Sequence, residues 1–225
     1  MKLMGGNEKR VRQHGFTLLE LMVSMAILTL VAAVIVDGLS RLQKRSTMET
    51  TKIDLTQESR EFMDQIVSDI HQSGYPSLKM FDPKAVPAPT LNSLYVSQGL
   101  VNVTPSSLQF EADVDGSGAV SEVFIQLNPI NGPCPCIIQR GTVSKQAWLA
   151  GTLPFYYTEV NNITNVNIFQ GYDNAGNNVP LAGACPCNNL AAIEITMNVQ
   201  SPFVDANGIF PTITMSTGAK IHNFN

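Results

Sequence analysis

Four cysteines fall in two matching units, Cys134-Pro135-Cys136 and Cys185-Pro186-Cys187, and thiols paired in this way support three chemistries. Four thiolates could close a tetrahedral zinc site, although structural zinc sites place two or more residues between paired cysteines. A Cys-Pro-Cys pair could cycle between dithiol and disulfide, although no thioredoxin-like βαβ pattern surrounds either unit. Stable disulfides need only an oxidising compartment. A bridge within one unit would close a very small ring around a rigid proline. Bonds between the units, closing a loop of about 50 residues for roughly 4 kcal/mol, are the expected form. Cys134 would then join Cys187 and Cys136 would join Cys185, or the pairing would cross.

Asp113, Asp115 and Ser117, followed by Gly118, place oxygen ligands at alternate positions as a calcium loop does. The closing Glu of such a loop is absent, because Phe124 stands at the twelfth position, and Glu122 is the nearby carboxylate that could take its place. A plain Asp-Gly hairpin turn explains the same residues. Histidine is scarce, with only His14, His71 and His222 in the chain. No Gly-x-Ser-x-Gly, Walker loop, Gly-x-Gly-x-x-Gly or His-Glu-x-x-His occurs, so neither an enzyme nor a bound cofactor is expected.

The strongest signal is physical rather than catalytic. From Phe16 to Val36 the chain reads FTLLELMVSMAILTLVAAVIV, about 21 residues or roughly 31 Å as a helix, the hydrocarbon thickness of a bilayer. A secretory signal has a shorter apolar region of about 7 to 15 residues and a small-residue cleavage site. Here the run ends instead in Ile35, Val36, Asp37 and Gly38. Residues 1–15 carry Lys2, Lys9, Arg10 and Arg12 against Glu8, so this leader is expected in the cytoplasm and everything after the run across the membrane. Glu20 lies inside the run, where a carboxylate costs about 2.5–3.5 kcal/mol at the bilayer centre unless it finds a partner or snorkels to the headgroups.

The segment Arg12-Gln13-His14-Gly15-Phe16-Thr17-Leu18-Leu19-Glu20-Leu21-Met22-Val23 closely resembles the processing site of type IV prepilins. The resemblance implies cleavage after Gly15 by a prepilin peptidase and N-methylation of the new terminus at Phe16. It also implies that Glu20 pairs with the Phe16 amine of a neighbouring subunit and so sets axial register during filament assembly. Farther on, the segment from Arg60 to Pro76, an acidic-aliphatic helix running into Gly74-Tyr75, is similar to the helix end of PilW/PulJ-type minor pilins. That likeness implies a minor pilin acting in filament initiation or at the tip, with a type II secretion pseudopilin as the alternative. Its partners would be other major and minor pilins, the prepilin peptidase, an inner-membrane assembly platform and, before assembly, membrane lipid. It would sit in the inner membrane as a single-pass protein with a periplasmic C-terminal domain, then pass into a filament. A membrane-anchored thiol oxidoreductase is the alternative of another class.

Beyond Gly38 the apolar residues Leu39, Leu42, Ile53, Phe62, Met63, Ile66, Val67 and Ile70 recur at helical steps among charged ones. One helix is expected to about Ser73, where Gly74 and Pro76 stop it. Residues 77–93, rich in proline, read as a linker. After it the period becomes two, with candidate strands at 94–97, 107–114, 120–127, 137–140, 155–160, 163–169, 191–199 and 212–215. Asp115-Gly116-Ser117-Gly118 and Asp205-Ala206-Asn207-Gly208 are expected turns. The expected fold class is α+β, a long N-terminal helix packed on an antiparallel β-sheet domain. Its parts would be a cleaved leader 1–15, a transmembrane helix 16–37, an amphipathic continuation 38–73 and a β-rich domain 74–225. The net charge is −4, and beyond residue 90 only Arg140, Lys145 and Lys220 are basic. No nucleic acid partner is expected.

Overall fold

A computed structural model describes residues 17–81, 93–130, 132–184, 187, 189–205 and 208–221. Thr17 caps the first helix: its hydroxyl accepts the Glu20 amide at 3.3 Å and its carbonyl the Leu21 amide at 3.2 Å. Helix α1 then runs Leu18–Gln72. It stops where Gly74 takes a φ of 80°, a left-handed value that costs only glycine nothing. The Gly74 amide leaves the helix ladder and bonds the Glu111 carbonyl at 3.0 Å. By compactness the chain forms two units, one ending at Thr47 and one beginning at Met48, with α1 passing through both.

In the second unit, ten antiparallel strands make one sheet. They are β1 (Leu100–Val103), β2 (Ser107–Ala112), β3 (Ser121–Asn128), β4 (Cys136–Ser144), β5 (Phe155–Ile163), β6 (Phe169–Tyr172), β7 (Asn178–Val179), β8 (Gly183–Ala184), β9 (Ala192–Gln200) and β10 (Thr212–Lys220). A short helix, α2 (Lys145–Leu149), follows β4 and is capped by the Ser144 hydroxyl. The order is β7-β6-β9-β5-β4-β3-β2-β1-β8, with β10 on the other edge of β9. The end strands β7 and β8 are separated in the chain by Pro180, Leu181 and Ala182 alone, which span at most about 14 Å. The two ends of the sheet must therefore approach each other. Ile168 and Phe169 amides, both bonded to the Pro105 carbonyl, pin the start of β6 to the β1–β2 turn.

The sheet closes over the α1 stripe Leu55, Phe62, Met63, Ile66 and Ile70, which packs with Phe110, Ile125, Ile138, Ile195 and Met197. Each such side chain contributes about 1.5–3 kcal/mol on burial. One ion pair fixes which part of the stripe meets which strand. Asp69, 1% exposed, receives the Arg140 Nε of β4 at 2.9 Å on one oxygen and the Gln65 amide at 2.8 Å on the other.

Two expected strands are not strands. Residues 94–97 turn instead, because side chains satisfy their neighbourhood: Lys145 Nζ donates to the Val96 carbonyl at 2.8 Å and the Ser97 hydroxyl to the Glu111 carbonyl. Between β5 and β6, most of 163–169 is a turn held by Asn165, whose side-chain amide donates to Thr196 O and accepts from Asn198 N, each at 2.8 Å. The short strands β1, β7 and β8 and helix α2 were not expected from the sequence. The expected turn 115–118 joins the antiparallel pair β2–β3; of the turn expected at 205–208, between β9 and β10, Ala206 and Asn207 lie outside the described residues, as do residues 82–92 of the expected linker.

Breaking a buried pair strands the surviving charge at a cost of about 3 kcal/mol, whereas an exposed pair is worth under about 1 kcal/mol. Asp69→Ala should therefore lower the melting temperature of the protein in detergent micelles by many degrees. Asp37→Ala, which breaks the exposed Asp37–Arg41 pair, should leave it unchanged.

Candidate functional site: an uncovered apolar helix

In the first unit, every described residue from Thr17 to Thr47 is exposed. Its best 18-residue window has a mean hydropathy of 2.5 and no buried residue, which is long and apolar enough to cross a membrane. The polar interruptions other than Glu20 cost little. Ser24 Oγ donates to the Glu20 carbonyl at 2.7 Å, and Thr29 Oγ1 to Met25 and Ala26 carbonyls at 3.0 and 2.9 Å, so each hydroxyl is satisfied within its own helix. Glu20 stands exposed in the first turn of α1, where the helix dipole favours an anion. Gly15 and Phe16 lie outside the described residues.

The cysteines do not pair between units. Cys134 bonds Cys136, with the two Cα atoms 4.5 Å apart, inside the separation a disulfide tolerates. Bridges between the units would tie neighbouring antiparallel segments of the sheet. Cys136 instead opens β4, flanked by β3 and β5, whereas the second unit follows β8, which pairs with β1 at the far end of the order. Cys187 is also in a disulfide, and Cys185 lies outside the described residues. Cys136 is 1% exposed and packs in the core, a poor position for exchange with an external thiol.

Asp113, Asp115 and Ser117 share the β2–β3 turn, but Glu122 does not turn toward them. It faces Glu111, directly opposite in register, together with Gln109, whose amide donates to it at 3.1 Å. Glu111 in turn receives Lys145 Nζ at 2.7 Å and the Gln98 amide at 2.6 Å. All three charged residues are at most 3% exposed. The sequence carried this signal: counting outward from the 115–118 turn sets 111 against 122. His71 lies at the end of α1, and His14 and His222 are outside the described residues. Among the described residues no three His, Cys, Asp or Glu side chains gather as a metal site.

Residues 10–36 match the Prokaryotic N-terminal methylation motif. No curated protein and no solved structure matches the chain. The motif and the α+β architecture together support a pilin-like or pseudopilin-like structural subunit that prepilin peptidase processes and that assembles with pilins. The apolar helix near the N-terminus is compatible with a single-pass anchor in the inner membrane.

Burial, reinforced by the neighbouring Glu111, pushes the Glu122 carboxyl up to about 7 from its ordinary 4.5. A raised acid holds its proton in the folded state while the unfolded chain has already lost it. The Glu122 contribution to stability is therefore fully present below about pH 4.5 and is lost as pH rises through 7. Glu159, raised by its own burial, adds a loss of the same sign. Glu122→Gln should flatten most of the fall between pH 5 and 8 and raise the melting temperature at pH 8. An unchanged pH profile in that variant would place the titration elsewhere.

Proposed function

We propose that this chain is a minor pilin of the PilW/PulJ type, stored in the inner membrane and drawn from it into a type IV pilus-like filament at initiation or at the tip. The observation that carries the reading is the apolar half of α1, left uncovered by the described residues of its own chain and overlapped by the methylation motif. A spanning helix of this kind is stable in lipid and equally stable among other apolar helices, so one surface serves both for storage and for assembly. Glu20 is the polar group of that surface whose carboxylate has no partner among the described residues, and the Phe16 amine of a neighbour, created by cleavage after Gly15, is a partner of opposite charge.

The size of the second unit supports the minor class. A ten-stranded curled sheet with few exposed charges offers a broad neutral surface for protein contacts. The domain would lie in the periplasm, with residues 1–15 as leader, 16–37 as membrane helix, 38–73 as its amphipathic continuation and 74–225 as the globular part. The Cys134–Cys136 disulfide and the disulfide-bonded Cys187 suit that oxidising compartment. The buried Cys136 sulfur speaks for structural bonds over redox cycling.

Mass spectrometry of the mature protein should find an N-terminus at Phe16 with one methyl group on its nitrogen, and Gly15→Val should leave the leader attached. A mature N-terminus beyond Val36 would instead assign the apolar run to an ordinary signal peptide and remove the filament reading.

A further inference from the structure

The β2–β3 turn contains a carboxylate that the fold does not satisfy. Asp113 is 8% exposed. Its Oδ2 accepts the Gly118 amide at 2.9 Å, while its Oδ1, fully shielded from water, accepts from no group among the described residues. A carboxylate of the same sign adjoins it. The side chain of Asp115 stands in contact with that of Asp113 and is oriented by Ser117, whose amide donates to Asp115 Oδ1 at 3.0 Å. A buried acceptor without a donor is destabilising, the more so when charged, and two adjoining carboxylates repel. The bases of this face are committed elsewhere, Lys145 to Glu111 and the Val96 carbonyl, Arg140 to Asp69.

A cation between the two carboxylates would remove both penalties. The donors are all oxygens, without nitrogen or sulfur, which selects a hard divalent ion. Calcium tolerates an irregular, partly hydrated shell, whereas magnesium demands near-ideal octahedral geometry. We propose that the β2–β3 turn is a calcium site in which Asp113 Oδ1 and the Asp115 carboxylate hold the ion. Glu122 takes no part, since it is committed to Gln109 and the Glu111–Lys145 pair. Two carboxylates place the affinity in the range of about 0.1–1 mM typical of extracellular modules. Binding would stiffen the turn that joins β2 to β3 beside the end of α1, where the Asp113 amide bonds the Tyr75 carbonyl at 3.0 Å.

The test is calorimetric titration of calcium into the EDTA-treated full-length protein in detergent micelles, with melting curves at 0 and 5 mM calcium. One ion per chain should bind, and the melting temperature should rise with calcium. Asp113→Asn and Asp115→Asn should each weaken binding at least tenfold and abolish the calcium-dependent rise. Both variants should stay folded without calcium, because each relieves the carboxylate repulsion. Asp173→Asn, in the β6–β7 turn where both carboxylate oxygens already accept bonds from Ala175 and Asn177, should bind as the parent does. Absence of binding at 5 mM calcium, or binding that survives Asp113→Asn and Asp115→Asn, would overturn the site.

Discussion

The apolar half of α1 must be covered, and none of the described residues of its own chain covers it. Leu18, Leu19, Leu28, Leu30 and their neighbours are half to three-quarters exposed. At about 1.5–3 kcal/mol for each large side chain, leaving them in water would cost more than the 5–15 kcal/mol by which a domain is stable. This constraint dictates where the protein can exist: in a bilayer, or among helices of the same kind. It also dictates what remains to specify contacts there. Lipid supplies no hydrophobic drive between helices, and the hydroxyls of Ser24 and Thr29 are spent on their own backbone. Glu20 is left as the polar determinant of the surface.

The same helix meets the opposite demand in the second unit. From Leu55 onward one stripe is buried by the sheet, and Asp69, locked to Arg140, sets the stripe against β4. The sheet can cover the stripe because its two end strands belong to one short chain segment, 178–184, which draws the edges together. Beside the helix end, the buried Glu111, Glu122 and Lys145 tie β2, β3 and the start of α2 into a polar cluster that is satisfied by hydrogen bonds. Such a cluster defines one register, since any slip would leave charges unpaired in the core.

Much of this was legible in the chain. The apolar run, the helix stop at Gly74-Tyr75-Pro76 and the Asp115-Gly116 turn each rest on local chemistry that no tertiary contact overrides. Strands β9 and β10 announce themselves by alternation, with Ile193, Ile195, Met197 and Val199 all facing inward. What stayed hidden depends on distant partners. Residues 94–97 look like a strand but turn, because Lys145 and Glu111, remote in sequence, satisfy their backbone. The segment 163–169 looks like a strand but turns on the bonds of Asn165 to β9. The Cys-Pro-Cys pairing could not be read from spacing, because it depends on which thiols the fold brings within bonding distance, and β8 lies four places from β4 in the sheet order.

The central claim is that the uncovered helix is a surface for other pilin-like helices, and a photo-crosslinking amino acid placed at Leu28 tests it most directly. Irradiated cells should yield adducts joining this chain to the N-terminal apolar helices of other pilin-like subunits, reduced when Glu20 is replaced by Ala. Adducts to lipid alone, in cells that are assembling filaments, would contradict the account.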